Sequence, residues 1–162
     1  MDLFDAIQHY NVNDVIRLLK NGVDPNIYDG RYGITTPLFE AVHEYMSNYD
    51  TLNERDSLKI IKLLLKYGAD PNKFTNQEMI NSPFILPASY GDTEIVKLLL
   101  DNDADPYIIK DGKTVIEIIT DNAIENGNPE IVDFIMEYMD LQRAKQNLAF
   151  ATSFNPRLGY DT

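Results

Sequence analysis

The sequence predicts an all-α solenoid, in which helix-turn-helix units stack side by side and are joined by short hairpin-like turns. Two observations lead to this prediction. A leucine-rich helical segment, followed by a stop and an Asp-Pro turn, occurs at residues 16–26, 61–72 and 96–107. Between these segments, a hydroxyl side chain repeatedly stands directly before an apolar helix start. Internal repetition with a period of roughly 20–50 residues is typical of a repeat protein.

Each leucine-rich segment has the features of a helix that ends in a tight stop. Gly22 and Gly68 follow the leucine runs, where helices commonly end in the left-handed conformation that glycine adopts without strain. Asp103 occupies the same place in the third copy, and aspartate is among the few other residues that tolerate this conformation. The helical conformation is disfavoured for a residue that precedes proline. The Asp-Pro pair that follows each stop therefore predicts a turn.

The helix starts carry a second signature. Thr36-Pro37 and Ser82-Pro83 each place a hydroxyl cap before a proline at the first helical position, and Thr114 keeps the cap without the proline. The recurrence of cap, leucine run and turn in this order resembles the ankyrin repeat, whose period is about 33 residues. The resemblance covers residues 2–139 and implies an ankyrin-repeat solenoid.

Four repeats are predicted within a domain spanning residues 1–139, at residues 2–29, 30–75, 76–110 and 111–139. Repeat two carries an insertion at residues 43–56, so its first helix should be longer, with Asp56 or Ser57 capping the second. Pro87 should distort the short first helix of repeat three. In repeat four, Asn128 is the predicted cap of a helix that begins at Pro129.

Residues 140–162 fall outside the repeats. Leu141, Ala144, Leu148 and Ala151 recur at helical spacing, which predicts a C-terminal capping helix against the end of the stack, followed by an irregular tail. The resemblance also implies a histidine after each Thr-Pro-Leu that hydrogen-bonds neighbouring repeats. Phe39, Ile85 and Glu117 stand at these positions, so we expect apolar contacts to replace those bonds.

Composition excludes several functions. The chain has no cysteine, and 14 basic against 26 acidic residues give a net charge of −12, which disfavours binding to nucleic acid. No run is apolar enough for a membrane span, and we expect a cytoplasmic monomer. The two histidines, His9 and His43, lie far apart on predicted helices, so no catalytic residues, no enzyme activity and no cofactor are expected. No metal site is expected either. Asp101, Asp103 and Asp105 alternate as the ligands of a calcium loop do, but the glycine and the distal glutamate of such a loop are missing.

The resemblance implies that a partner protein binds the concave surface formed by the turns and the first helices. Exposed aromatic and charged side chains are typical of such interfaces. The predicted partner-binding residues are Tyr28, Arg31, Tyr32, His43, Phe74, Met79, Tyr90, Tyr107 and Lys110. The insertion at residues 43–56 and the segment 140–162 are further candidate surfaces.

The sequence therefore predicts a non-catalytic protein–protein interaction module. The alternative is an adaptor whose segment 140–162 recruits a second factor, such as a ubiquitin ligase. The abundance of Asn, Ile, Lys, Asp and Tyr resembles ankyrin proteins of large DNA viruses or intracellular bacteria. On that resemblance the partner is a host protein in the host cytosol, and the acidic charge favours a partner with a basic surface.

Overall fold

The computed structural model describes residues 1–30, 35–48, 51–73 and 82–153. Within these ranges the chain forms eight helices and one two-stranded antiparallel sheet. The elements are α1 (Leu3–Gln8), α2 (Val12–Lys20), α3 (Pro37–Ser47), α4 (Glu54–Lys66), α5 (Ile85–Ser89), α6 (Thr93–Leu100), β1 (Ile109–Lys110), β2 (Lys113–Thr114), α7 (Val115–Glu125) and α8 (Glu130–Ser153).

The helices pair in chain order and stack in two layers. Each odd-numbered helix packs against the even-numbered helix that follows it. Contacts of α3 with α1 and α5, and of α5 with α7, join the first helices of successive repeats. Contacts of α2 with α4 and of α6 with α8 join second helices. This arrangement confirms the predicted all-α repeat solenoid.

One continuous apolar core runs through the stack. It extends from Leu3 in the first helix to Ile135 in the last. In α4, for example, Ile60, Ile61 and Leu64 are fully buried while Lys59, Lys62 and Lys66 are exposed. The core explains why a repeat is stable only when its neighbours cover it.

The predicted helix stops are confirmed. Gly22, Gly68 and Asp103 adopt left-handed φ angles of 85°, 90° and 69°. In the two glycine copies the next residue donates its N–H to a carbonyl five positions earlier, from Val23 to Leu18 and from Ala69 to Leu64. The third copy makes the same bond from Ala104 to Leu99 at 3.0 Å. The three turns that follow therefore leave their helices in the same way.

Two predicted helix starts are corrected. Helix α4 begins at Glu54, after Asn53, and neither Asp56 nor Ser57 caps it. Ser57 is buried and its hydroxyl donates to the Asn53 carbonyl, so it faces the core from inside the helix. Asp56 instead forms an ion pair with Lys59 at 2.7 Å. Helix α8 begins one residue later than predicted, at Glu130.

The lengths of the first helices differ as the sequence predicts. Helices α3 and α7 each have 11 residues, whereas α5 has only five and contains Pro87. The insertion in repeat two thus extends α3, and the proline shortens α5 because it cannot donate a backbone hydrogen bond.

The C-terminal segment differs from the expected separate helix. Residues 140–153 continue α8, which runs unbroken for 24 residues. No glycine or proline interrupts this stretch, so nothing in the sequence turns the chain back onto the stack. Ile131 and Ile135 are its buried residues, while Leu141 and Leu148 are exposed.

Candidate partner-binding surface

Neighbouring turns are joined by asparagine side chains. The amide nitrogen of Asn26 donates to the Gly68 carbonyl, and its amide oxygen accepts from the Asp70 N–H, both at 2.8 Å. Asn72 makes the same pair of bonds, at the same distance, to Asp103 and Asp105. Hydrogen bonds therefore do join the repeats, although the expected histidines are missing and apolar contacts were expected in their place. The sequence feature that could have revealed these bonds is the Asn that ends the first two turns. The third turn has Tyr107 at that position.

The aspartates of the turns have structural roles. The carboxylates of Asp24, Asp70 and Asp105 each accept the N–H two residues further on, at 2.8 Å, which closes the turn. Asp101 is held by Lys97 and by the Tyr138 hydroxyl. The Lys97 and Tyr138 hydrogen bonds hold the pKa of Asp101 below its usual range. No group of three or more histidine or acidic side chains within the described residues is arranged to hold a metal ion.

Tyr28 lies at the tip of the first turn and is half exposed, at 50%. The Lys73 ammonium lies 4.1 Å from the centre of its ring, and the same group donates to the Asn26 carbonyl. Lys73 belongs to the second turn, so this cation–π contact fixes the tyrosine across two neighbouring repeats. Sequence reasoning missed Lys73, because nothing local relates it to a ring 45 positions earlier.

The third turn presents a second aromatic tip. Tyr107 is 39% exposed, and its hydroxyl lies 3.8 Å from the Met136 sulfur. The hairpin of β1 and β2 follows, with Lys110 half-buried and Ile109 71% exposed beside it. The sequence did not predict Ile109 as an exposed surface residue, because a strand of only two residues is too short to show a pattern. The predicted residues Arg31, Tyr32, Phe74 and Met79 lie outside the described residues.

His43 and Tyr90 come together, but away from the turn tips. Tyr90 directly follows the last residue of α5, whereas the turns precede the first residues of α3 and α7. Both side chains line one depression with Met46, Ser47 and Leu86. The His43 ring also stacks on Phe39, with centroids 6.1 Å apart. The described predicted residues thus form two patches, the turn tips and the carboxyl ends of the first helices.

The depression at His43 continues into a larger cavity of about 510 Å³. Met46 and Tyr90 line both, and the larger part is completed by Tyr45 and residues 91–94. We call the two together the notch. It exists because α3 extends past the end of the short α5. On the other side of α5, Asn122 and Asn126 of α7 donate to the hydroxyl and carbonyl of Ser89, at 3.2 and 3.1 Å.

The rim of the notch is acidic. Asp92 caps α6 by accepting the Ile95 N–H at 3.0 Å, and Glu94 is exposed beside it. Burial raises the pKa of the Asp92 carboxyl above its ordinary value, and the negative charges of Glu94 and Glu54 raise it further. The like charges therefore create a local field that favours a cation.

The insertion at residues 43–56 carries a fully exposed apolar side chain, Leu52. Residues 43–47 form the last turns of α3, and Thr51 bonds back to the Asn48 carbonyl through both its N–H and its hydroxyl. Leu52 is 99% exposed. The prediction that this insertion binds a partner stays a prediction.

Comparison with known proteins identifies the class. A family model described as ankyrin repeats (3 copies) matches residues 3–109 and 51–148. The chain belongs to the ankyrin-repeat family, whose repeats are general protein-interaction modules. Within the described residues, no helix is both long and apolar enough to cross a bilayer.

Three similar proteins come from viruses. An ankyrin repeat protein of Acanthamoeba polyphaga mimivirus is 33% identical over 130 residues, which cover 77% of this chain and 20% of the relative. A second mimivirus ankyrin repeat protein is 34% identical over 67% of this chain and 20% of its own length. One from fowlpox virus is 31% identical over 60% of this chain and 30% of its own length. The chain thus spans 20–30% of the length of these relatives.

Proposed function

We propose that this chain is a non-catalytic module that binds a partner protein on the surface formed by its turn tips and first helices. The observation that carries the proposal is the fixed exposure of Tyr28, which Lys73 holds across two turns that Asn26 already joins. An exposed aromatic ring that is ordered before binding loses little conformational freedom on binding, which is typical of interface hot spots.

The likeness to viral ankyrin repeat proteins supports a host protein as the partner and the host cytosol as the place of binding. The net charge of −12 favours a partner with a basic surface and opposes nucleic acid. The chain acts as a monomer, because four repeats already exceed the roughly three that a stable stack needs.

The test is an affinity capture from host-cell lysate with the full chain and two variants. The double variant Tyr28→Ala/Tyr107→Ala removes both described aromatic tips. Asn13→Ala is the control, because Asn13 is exposed on α2, a second helix outside the proposed surface. Proteins captured by the wild type and the control, and lost from the double variant, are the expected result. An unchanged set of captured proteins, with the double variant folded by circular dichroism, would contradict the proposal.

A second candidate function is an adaptor, in which the continuation of α8 recruits another factor such as a ubiquitin ligase. The specific observation in its favour is the exposure of Leu141, Leu148 and Phe150 on a helix that extends beyond its buried residues. Leu141→Ser/Leu148→Ser should then lose one captured protein while retaining those that depend on Tyr28. If both variants lose the same proteins, the adaptor function is wrong.

A further inference from the structure

We infer that the notch binds a short segment of a partner protein that carries an apolar anchor next to lysine or arginine. The inference rests on the proposed function, since it assumes a protein partner, and it adds a second contact point with its own chemistry. Three features of the notch lead to it: a rigid wall, an apolar floor and an acidic rim.

The wall is the carboxyl end of α3, which repeat one holds in place. The Tyr10 hydroxyl donates to the Glu44 carboxylate at 2.5 Å and accepts from the Asn48 amide at 2.8 Å. The same amide donates to the Glu44 carbonyl at 2.7 Å, which closes the end of the helix. Burial and the Glu44 carboxylate both raise the pKa of Tyr10, so this hydroxyl remains a donor. The wall is therefore formed before any partner arrives.

The opposite side of the notch is set by the end of α5. Gly91 follows Tyr90 with a left-handed φ of 76°, and a Cβ there would lie 3.0 Å from the Asn128 side chain. A side chain at this position would be strained by the left-handed φ and would press on Asn128, so glycine favours the direction in which the chain leaves Tyr90. The hydrogen bond from Asn126 to the Ser89 carbonyl also opposes a shift of the carboxyl end of α5 into the gap beside α3.

The floor offers an anchor site for an apolar side chain. Met46 and Leu86 are half-buried and face the same depression as the 58% exposed Tyr90. Methionine adapts to different apolar shapes, and tyrosine is enriched at interface cores. A leucine or phenylalanine of a partner would cover this floor and remove Met46 and Leu86 from water.

The rim selects the residues next to that anchor. Asp92 and Glu94 line the notch, and none of its lining residues, all within the described ranges, is a lysine or arginine. The turn tips are different, because Lys73 lies over the Tyr28 ring and Lys110 follows Tyr107 three residues later. A lysine or arginine of the partner would relieve the repulsion between the Asp92 and Glu94 carboxylates, and an acidic segment would increase it.

The experiment is a selection of random dodecapeptides, displayed on phage, against the immobilised full chain. Parallel selections use Tyr90→Ala, the charge-neutral Asp92→Asn/Glu94→Gln, and Tyr28→Ala/Tyr107→Ala. Tyr90 and Glu94 are exposed and Asn still accepts the Ile95 N–H, so these variants should fold, which melting temperatures check. The wild type should enrich peptides with a leucine or aromatic residue flanked by lysine or arginine.

The variants decide where such peptides bind. We expect Tyr90→Ala to lose the enrichment, and Asp92→Asn/Glu94→Gln to raise the dissociation constant of a synthetic selected peptide on the order of tenfold at low salt. Enrichment unchanged by Tyr90→Ala, or acidic or uncharged motifs, or no enrichment at all, would overturn the inference. Basic peptides lost only from Tyr28→Ala/Tyr107→Ala would also overturn it, while leaving the proposed function standing.

Discussion

Asn72 donates its side-chain amide to the carbonyl oxygen of Asp103, 2.8 Å away, and Asp103 holds that carbonyl in place with a left-handed φ of 69°. The third turn thus keeps the geometry of the first two although it lacks their glycine. The hydrogen bond between repeats depends on a backbone conformation that an aspartate adopts only with strain.

We expect Asp103→Gly to raise the free energy of unfolding by roughly 0.5–1 kcal/mol, because glycine adopts the left-handed conformation without a Cβ clash. Urea denaturation monitored by circular dichroism measures the change. Gly68→Asp is the reciprocal control and should lower the free energy of unfolding by a similar amount, since open space surrounds Gly68 and only strain is added. A destabilised Asp103→Gly would show that its side chain, not its φ angle, sets the stability of this turn.

Asn72→Ala should lower the free energy of unfolding by about 2 kcal/mol, because it removes two hydrogen bonds between repeats two and three. Asn72→Asp keeps the acceptor for the Asp105 N–H but loses the donor to Asp103, so its loss should be intermediate. Asn13→Ala is the matched control, since Asn13 is exposed on α2. Equal unfolding curves for Asn72→Ala and Asn13→Ala would disprove the role of the link.

Asp92→Asn should raise the melting temperature at pH 7. Because the folded pKa of Asp92 lies above its unfolded value, the unfolded chain releases this proton first as the pH rises, and stability falls through that range. This loss of stability is present at pH 7, well above the ordinary aspartate pKa, whereas at pH 3 both states are largely protonated. The increase in melting temperature caused by Asp92→Asn should therefore be smaller at pH 3. Asp92→Ala should instead be destabilising, by about 1 kcal/mol, because it removes the cap of α6.

Leu148→Ala should change the free energy of unfolding by less than about 0.5 kcal/mol, because Leu148 is 66% exposed on the continuation of α8. Ile135→Ala, on the buried part of the same helix, should cost roughly 2–5 kcal/mol. Chemical denaturation of the two variants makes the comparison. A large loss for Leu148→Ala would indicate that the continuation packs on the stack as a cap.

The sequence predicts what is local. Gly22, Thr36 and Pro87 act on their own neighbours along the chain, so the helix stops, the cap of α3 and the shortened α5 could all be predicted. The pairing of Asn26 with Gly68 joins residues 42 positions apart; the recurring Asn of the turns marks one end of such a bond but not the residue that it reaches. The cation–π contact of Lys73 is equally non-local.

The notch also depends on contacts between residues that are distant in sequence. His43 and Tyr90 were predicted as binding residues, but not as neighbours, because their proximity depends on the difference in length between α3 and α5. The continuous α8 was missed for another reason. The spacing of Leu141, Ala144 and Leu148 predicts a helix but not its direction relative to the helix before it. Only the absence of glycine and proline between Pro129 and these residues indicated that the two form one helix.

The bonds of Asn26 and Asn72 are neutral amide-to-peptide bonds, so neither pH nor salt alters them directly. Apart from Lys73, whose ammonium also donates to the Asn26 carbonyl, side chains on the outside of the turns can gain or lose charge without weakening these bonds between repeats one, two and three. Such an array can exchange one binding specificity for another by surface substitution alone. The bonds that join the repeats and the exposed surface of the turns can therefore change in sequence largely independently of each other.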